Sequence, residues 1–124
     1  MSDSAIWTRN GITDTRLVRN FAYLGGKWVA GEGGATITVR NPADGRALGD
    51  VASLTADQAH LAVDAAQDAF DDWAMTLPQD RSAILRRWFD LMIKHKEDLA
   101  RIMVLEQGKP LSEARGEIDY AASF

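Results

Sequence analysis

The sequence Leu105-Glu106-Gln107-Gly108-Lys109-Pro110-Leu111 contains the clearest helix-boundary signals in this chain of 124 residues. Glycine readily takes the left-handed backbone conformation that ends many helices, and proline is favoured in the first helical turn, where no amide donor is needed. We therefore predict that one helix ends at Gly108, and that another opens at Pro110 and runs toward Phe124.

Three further helices are predicted upstream of this stretch. Thr55 and Gln58 have the spacing of a capping box and mark the start of the first helix. Thr76 and Gln79 repeat that spacing for the second helix, and a break near Lys96 separates it from the third. The second helix carries the stripe Ile84, Leu85, Trp88, Phe89 and Met92. We expect the first helix to bury its own apolar stripe: Ala59, Ala62, Val63, Ala66, Ala69, Phe70 and Trp73.

The residues before Thr55 have the composition of strands and turns. Gly25-Gly26 separates two short apolar stretches and suits the positive φ angles of a two-residue hairpin turn. A second pair of strands is predicted at 35–39 and 46–51, on either side of a turn at 41–45. The prediction is an α/β fold with antiparallel strands followed by about four helices.

Residues 1–20 show little periodicity, which is typical of a weakly packed N-terminal arm. Trp7, within this arm, receives no assignment. The other tryptophans, Trp28, Trp73 and Trp88, fall on predicted strands or apolar stripes, so we expect all three to pack in the core.

Composition excludes several classes of function. The chain has 14 basic and 18 acidic residues, a net charge of −4 and no basic face that would suit nucleic acid. It has no apolar run of membrane-spanning length, and its N-terminus does not resemble a signal peptide. The absence of cysteine rules out disulfides and a sulfur nucleophile within these residues. We expect a cytoplasmic protein without nucleic-acid or membrane partners.

Three patterns could carry chemistry, but each has a simpler interpretation. Glycines at 31–34 could cradle a phosphate, yet a strand rather than a helix is predicted to follow them. Glu113 and Glu117 share one helical face, which is also the usual spacing of solvated surface charges. His60 and His95 lie in separate helices without a second ligand at coordinating spacing, so packing or surface placement is favoured.

Four motifs, taken in order and spacing, resemble the N-terminal region of the NAD(P)-dependent aldehyde dehydrogenases. They lie at 21–29, 41–45, 83–88 and 105–110. The stretch from Glu113 to Phe124 is most similar to the succinate-semialdehyde dehydrogenase branch of that family. The resemblance covers most of this chain but a minority of the usual length of the family.

The resemblance implies a fold and a reaction. Residues 21–124 would form the first, incomplete part of a Rossmann-like cofactor-binding domain, after the arm at 1–20. In this family a cysteine thiolate attacks the aldehyde, hydride passes to NAD or NADP, and a glutamate-activated water releases the acid. The small aldehyde substrate would be succinic semialdehyde, and the complete enzyme is expected to be a homo-oligomer.

The groups that perform this reaction lie later in family chains. We therefore expect the 124 residues alone to be inactive and to bind no cofactor. Residues 118–124 also contain none of the signals that end a helix, which favours a truncated chain. The alternative function is a non-enzymatic helical association module.

Two site assignments follow from the resemblance. Some family members bind a structural monovalent cation at positions that match the carbonyl of Arg40 and the acid Glu106, although capping or surface placement would also explain Glu106. Phe124 matches a helix that approaches the substrate tunnel, where an aromatic ring could line the aldehyde path. Ordinary packing is the alternative for Phe124.

Overall fold

The computed structural model describes residues 4–124. Its two antiparallel hairpins and the four helices that follow confirm the predicted α/β fold, and one further short helix precedes them. Within this part of the chain, no helix combines the length and apolarity needed to cross a membrane. The elements are α1 (Ser4–Arg9), β1 (Ala22–Leu24), β2 (Lys27–Val29), β3 (Thr36–Arg40), β4 (Ala47–Ala52), α2 (Ala56–Met75), α3 (Pro78–Lys94), α4 (Lys96–Gln107) and α5 (Leu111–Ala122).

Most local predictions are confirmed. Gly25 and Gly26 form the turn between β1 and β2 with φ angles of 55° and 79°. The hydroxyl of Thr55 accepts a hydrogen bond from the amide of Gln58, whose side chain accepts one from the amide of Thr55, as in a capping box. The helix is interrupted at His95, which separates α3 from α4.

Two predicted helix starts are wrong in detail. Thr76 ends α2 instead of opening α3: its hydroxyl donates to the carbonyl of Asp72, and Leu77 stands at the start of α3 without a side-chain cap. Pro110 has a ψ of 140°, so it precedes the first helical residue of α5 instead of occupying it. In both cases the proline-containing boundary lies within one residue of its predicted place.

The expected weak packing of the N-terminal arm is wrong for its described part, while residues 1–3 lie outside the described residues. Trp7 is 3% exposed and Ile12 is 1% exposed, and both pack with Leu48 of β4 and Leu105 of α4. Single side chains enter a core built by distant elements, so the segment has no apolar periodicity to recognise. This N-terminal segment is part of the main core.

Hydrogen bonds to the side chain of Asp98 link the N-terminal segment to α4. Its carboxylate accepts hydrogen bonds from the amide and hydroxyl of Thr13, at 2.9 and 2.8 Å, and from the amide of Asp14 at 2.9 Å. Burial by itself raises the pKa of Asp98, but these hydrogen bonds outweigh it and hold the pKa below its usual value of 3.8. The buried carboxylate therefore remains charged at neutral pH.

A second core joins α4 and α5. Ala100 and Ala114 are fully buried, and Ile118 is buried beside them. Alanine lets two helix backbones approach closely, so this contact is tight although the side chains are small. The two cores share α4, which therefore connects the N-terminal segment to the last helix.

Helices α2 and α3 pack differently from prediction. Both are described along their whole length, and neither has a buried residue. The expected core tryptophans are likewise exposed, by 48% for Trp28, 39% for Trp73 and 64% for Trp88. The apolar stripes exist as predicted, but within residues 4–124 they are covered only in part: Phe89 and Met92 of α3 are half-buried, and α3 packs against α5, whereas most other members of the two stripes are exposed.

Candidate functional site

The turn after β3 lies against the C-terminal end of α4. Gly108 ends α4 in the left-handed conformation, with a φ of 80°. A Cβ atom at this position would lie 2.7 Å from Cγ of Pro42, well inside normal carbon contact. The turn and the helix end thus fit together only because residue 108 is glycine. Arg40 and Glu106, the two residues of the predicted cation site, are held on these adjoining elements.

Glu106 faces a cavity of about 220 Å³ between the N-terminal segment, the β3–β4 hairpin and α4. Partial burial raises the pKa of its carboxyl group above the usual 4.5. No residue in the described part of the chain forms an ion pair or hydrogen bond with this carboxylate. The residue as a whole is exposed, so its carboxylate is an unpaired, partly hydrated negative charge, and a cation would stabilise such a group.

Other oxygen and nitrogen groups line the same cavity. Asp50 accepts a hydrogen bond from the hydroxyl of Thr38 at 2.6 Å, and its backbone carbonyl accepts one from Asn20 at 2.9 Å. Among residues 4–124 no cluster of three acids, histidines or cysteines could hold a metal by side chains alone. A cation here would need backbone carbonyls as well as Glu106, and oxygen ligands suit a hard cation.

Trp7 also lines this cavity and carries an unusual polar group. Its Nε1 atom is buried and has no hydrogen-bond partner among the described residues. A buried donor without a partner costs roughly 1–3 kcal/mol.

Arg40 lies at the edge of this arrangement. A β-bulge falls between Val39 and Arg40, so Arg40 pairs with Ala47 and its guanidinium donates to the carbonyl of Gly45 at 3.1 Å. Val39 lines the cavity beside Glu106, whereas Arg40 is not among the lining residues. The structure thus brings the Glu106 side chain and the strand next to Arg40 together, and the cation assignment stays a prediction.

Phe124 is far more exposed than a residue inside a closed tunnel. It is 88% exposed, and its ring packs edge to face on Tyr120 at a centroid distance of 4.8 Å. Neither the cavity at Glu106 nor a second one of about 250 Å³ beside Arg9 and Arg46 includes Phe124. Its predicted role in a substrate tunnel therefore also stays a prediction.

The glycine-rich loop does not fit a dinucleotide. Glu32–Gly34 forms a single 3-10 turn that leads directly into strand β3. A pyrophosphate site needs amide groups at the start of a following helix, and both sheets within residues 4–124 are antiparallel pairs without the parallel crossover of such sites. The loop predicted at 31–34 is present as this turn, and the absence of a dinucleotide site there stays a prediction.

One of the two paired acids of α5 takes part in a surface ion pair. Glu117 forms an ion pair with Lys109, and Arg115 forms a bidentate pair with Glu97 of α4 at 2.7 and 2.8 Å. These exposed pairs connect α5 to its neighbours, in agreement with the surface interpretation. His95 lies 4.0 Å from the carboxylate of Asp14, at the junction with the N-terminal segment.

Sequence reasoning missed two residues that hold this region together. Trp7 closes one side of the cavity, and Asp98 fixes the segment that carries Trp7. Asp98 lies in the first turn of α4, where an acid is expected on electrostatic grounds alone. Only its burial, at 5% exposure, distinguishes it from the neighbouring Glu97, and no local pattern predicts that burial.

Comparison with known proteins identifies the family. A model of the aldehyde dehydrogenase family matches residues 28–124. The chain is 49% identical over 113 residues to the NADP+-dependent succinate-semialdehyde dehydrogenase of Escherichia coli, and 49% identical over 113 residues to the glutarate-semialdehyde dehydrogenase of Pseudomonas aeruginosa. Each match covers 91% of this chain and 23% of the relative, so the chain spans about a quarter of their length.

Solved structures agree with these relatives. An E. coli NADP-dependent enzyme superposes with a TM-score of 0.88 at 48% identity, over 90% of this chain and 23% of that one. The succinate-semialdehyde dehydrogenase of Burkholderia pseudomallei superposes with a TM-score of 0.87 at 50% identity, over 91% of this chain and 23% of that one. The resemblance found in the four motifs is confirmed, and this chain belongs to the aldehyde dehydrogenase family.

Proposed function

We propose that this chain forms the N-terminal part of the Rossmann-like cofactor-binding domain of an enzyme that oxidises succinic semialdehyde to the acid with NADP+ or NAD+. The observation that carries the proposal is the 49% identity to the E. coli enzyme over 113 residues. Residues 21–124 would belong to that domain and 1–20 would be its arm. The complete enzyme would be cytoplasmic and homo-oligomeric.

The substrate class is supported by more than one relative. Proteins named for succinate semialdehyde and for glutarate semialdehyde are equally similar to this chain. Both substrates are short aldehydes with a carboxylate at the other end, and they differ by one methylene group. One methylene group is worth only about 1–3 kcal/mol of discrimination. An aldehyde with a terminal carboxylate is therefore the class, and succinic semialdehyde is the member that we propose.

This chain contributes structure, not reacting groups, to that enzyme. It has no cysteine that could act as the nucleophile, and its glycine-rich loop does not fit a dinucleotide. Its role would be to position the turn after β3 and the end of α4, with Glu106 and the strand beside Arg40 holding a structural cation. Phe124 would lie near the aldehyde path in the complete enzyme. The 124 residues alone would neither bind the cofactor nor turn over substrate.

Reading the gene beyond the codon for Phe124 tests this proposal. We expect an open reading frame that encodes a glycine-rich loop, then a glutamate and then a cysteine. The product of the whole frame should reduce NADP+ or NAD+ with succinic semialdehyde faster than with glutaric semialdehyde. An immediate stop codon, or cofactor reduction by the 124 residues alone, would overturn the proposal.

A non-enzymatic association module is the second candidate function. The exposed apolar stripes of α2 and α3 favour it, because such surfaces are usually covered by a partner. A stop codon after Phe124, together with a stable self-associated form of this chain, would support this candidate over the first.

A further inference from the structure

The second cavity, of about 250 Å³, has a lining of opposite character to the cavity at Glu106. Its polar side chains are those of Arg9, Asn10, Asn41 and Arg46, and no acidic side chain of the described residues lines it. Glu106 and a second acid line the other cavity. In a chain with a net charge of −4, a cavity lined by two guanidinium groups and no carboxylate selects for an anion.

The side chains around this cavity have N–H groups available to a ligand. Within residues 4–124, the guanidinium of Arg9 has no hydrogen bond or ion pair. Arg46 uses its Nε and one Nη atom on the carboxylate of Asp44, at 2.7 Å each, and its other N–H groups remain for a ligand. The Oδ1 atom of Asn41 accepts from the amide of Ala43 at 2.9 Å, which leaves the Nδ2 group to donate.

The pair with Asp44 holds Arg46 at the end of the turn after β3. The amide and the guanidinium of Arg46 keep the pKa of Asp44 below its usual value of 3.8, so this carboxylate is charged at neutral pH. A charged Asp44 neutralises part of the local charge, but Arg9 has no such partner among the described residues. The cavity therefore keeps a net positive charge.

The cavity also has an apolar part. Ile6 of α1 and Leu48 of β4 line it, and Leu48 is 3% exposed and packs with Trp7 in the main core. Small-molecule sites combine apolar surface with a few polar groups, and those for drug-sized ligands measure about 300–1,000 Å³. A cavity of about 250 Å³ suits a smaller organic molecule, whereas an inorganic anion would leave the apolar part unfilled.

We propose that this cavity, between the end of α1 and the turn after β3, binds a small dicarboxylate, with one carboxylate at Arg9 and the other at Arg46. Arginine suits this role because its planar group binds a carboxylate through two parallel hydrogen bonds. A short apolar linker between the two carboxylates would lie against Ile6 and Leu48. The assignment rests on the lining of the cavity, and it holds whichever aldehyde the complete enzyme oxidises.

Titration of the isotope-labelled chain with succinate, followed by NMR of the side-chain amide groups of Asn10 and Asn41, tests the proposal. We expect saturable shifts with a dissociation constant on the order of 1 mM at low ionic strength, because exposed charges are screened. Arg9→Gln and Arg46→Gln should each weaken binding about fivefold. Arg87→Gln is the matched control: it removes the same charge from an exposed position on α3 that does not line the cavity, and should leave the dissociation constant unchanged.

Inorganic phosphate and acetate, added at matched ionic strength, are the comparison ligands. Acetate should bind more weakly than succinate, because it engages one guanidinium only. Phosphate bound as tightly as succinate would overturn the dicarboxylate assignment, as would shifts that never saturate or an equal loss in all three arginine variants. Arg9→Gln removes no contact that the described chain makes, so its effect reports ligand binding even if Arg46→Gln disturbs the turn.

Discussion

Helices α2 and α3 show clear apolar stripes in the sequence, yet α4 and α5 are the helices that bury side chains. Ala100, Ala114 and Ile118 pack at the contact between α4 and α5. Phe70 of α2 and Trp88 of α3 are instead more than half exposed. An apolar stripe on a helix indicates that this face is covered in the folded protein. The stripe does not indicate whether the covering element lies within the same 124 residues. Helices α4 and α5 bury side chains within these residues, whereas α2 and α3 do not.

The largest expected effect concerns the buried region. Trp7→Ala should lower the free energy of unfolding by about 3–5 kcal/mol, because it removes a large side chain from a packed core. Trp88→Ala should change it by less than about 0.5 kcal/mol, because that ring is 64% exposed. Urea denaturation followed by circular dichroism measures both. Similar losses for the two variants would mean that the two regions do not differ as described.

A smaller effect is expected at the anchor of the N-terminal segment. Asp98→Asn removes the charge and one of the two oxygens that accept hydrogen bonds from Thr13 and Asp14. It should lower the free energy of unfolding by about 2 kcal/mol. Asp68→Asn on the exposed side of α2 is the control, and a similar loss in both variants would contradict an anchoring role.

The same carboxylate predicts a pH dependence. The folded pKa of Asp98 lies below 3.8, so the unfolded chain binds more protons in the interval below that value. The stability due to this group should be present in full above pH 3.8 and should be lost as the pH falls through the lower, folded pKa. Asp98→Asn should remove this part of the acid dependence. If the difference in free energy of unfolding between the original protein and Asp98→Asn stayed the same from neutral pH to below the folded pKa, this prediction would be wrong.

Glu106 should act in the opposite direction. Burial raises its folded pKa above 4.5, so the charged form destabilises the folded state at neutral pH. Glu106→Gln should therefore raise the free energy of unfolding by about 0.5 kcal/mol, a small value because the side chain is still partly hydrated. If the predicted cation site exists, added potassium or sodium should stabilise the original protein and so reduce the difference in free energy of unfolding between it and Glu106→Gln. A destabilised variant in salt-free buffer would show that Glu106 has an unrecognised partner.

The smallest effect is expected at the surface pair between α4 and α5. Arg115→Gln breaks a bidentate contact with Glu97 that is open to solvent and screened by salt. The melting temperature should fall slightly at low ionic strength and should not change in molar salt. A loss that persists in high salt would mean that Arg115 contributes by packing rather than by charge.

Local chemistry made part of this structure predictable. The capping box at Thr55, the glycine pair at Gly25-Gly26 and the left-handed Gly108 each depend on neighbouring residues only, and all three are confirmed. The role of Trp7 depends on contacts with Leu48 and Leu105, which no pattern within the first 20 residues reveals.

The candidate site was predictable to a similar extent. Resemblance to the family pointed to Glu106, and the structure places its carboxylate at a cavity. The walls of that cavity come from the N-terminal segment, the β3–β4 hairpin and α4, which are distant in the chain. Trp7 and Asp50 could not be added from the sequence, because their position depends on how these elements pack.

The bond between Thr13 and Asp98 spans 85 positions in the chain, and this separation constrains the order of events during synthesis. Ribosomes add roughly 5–20 residues per second, so Asp98 is added to the chain on the order of 4–17 s after Thr13. During that interval Trp7 and Ile12 have no core to enter. A nascent chain of this protein should therefore leave Trp7 and Ile12 accessible to chaperones until α4 emerges, and the amides of residues 7–14 should be among the last to become protected from hydrogen exchange.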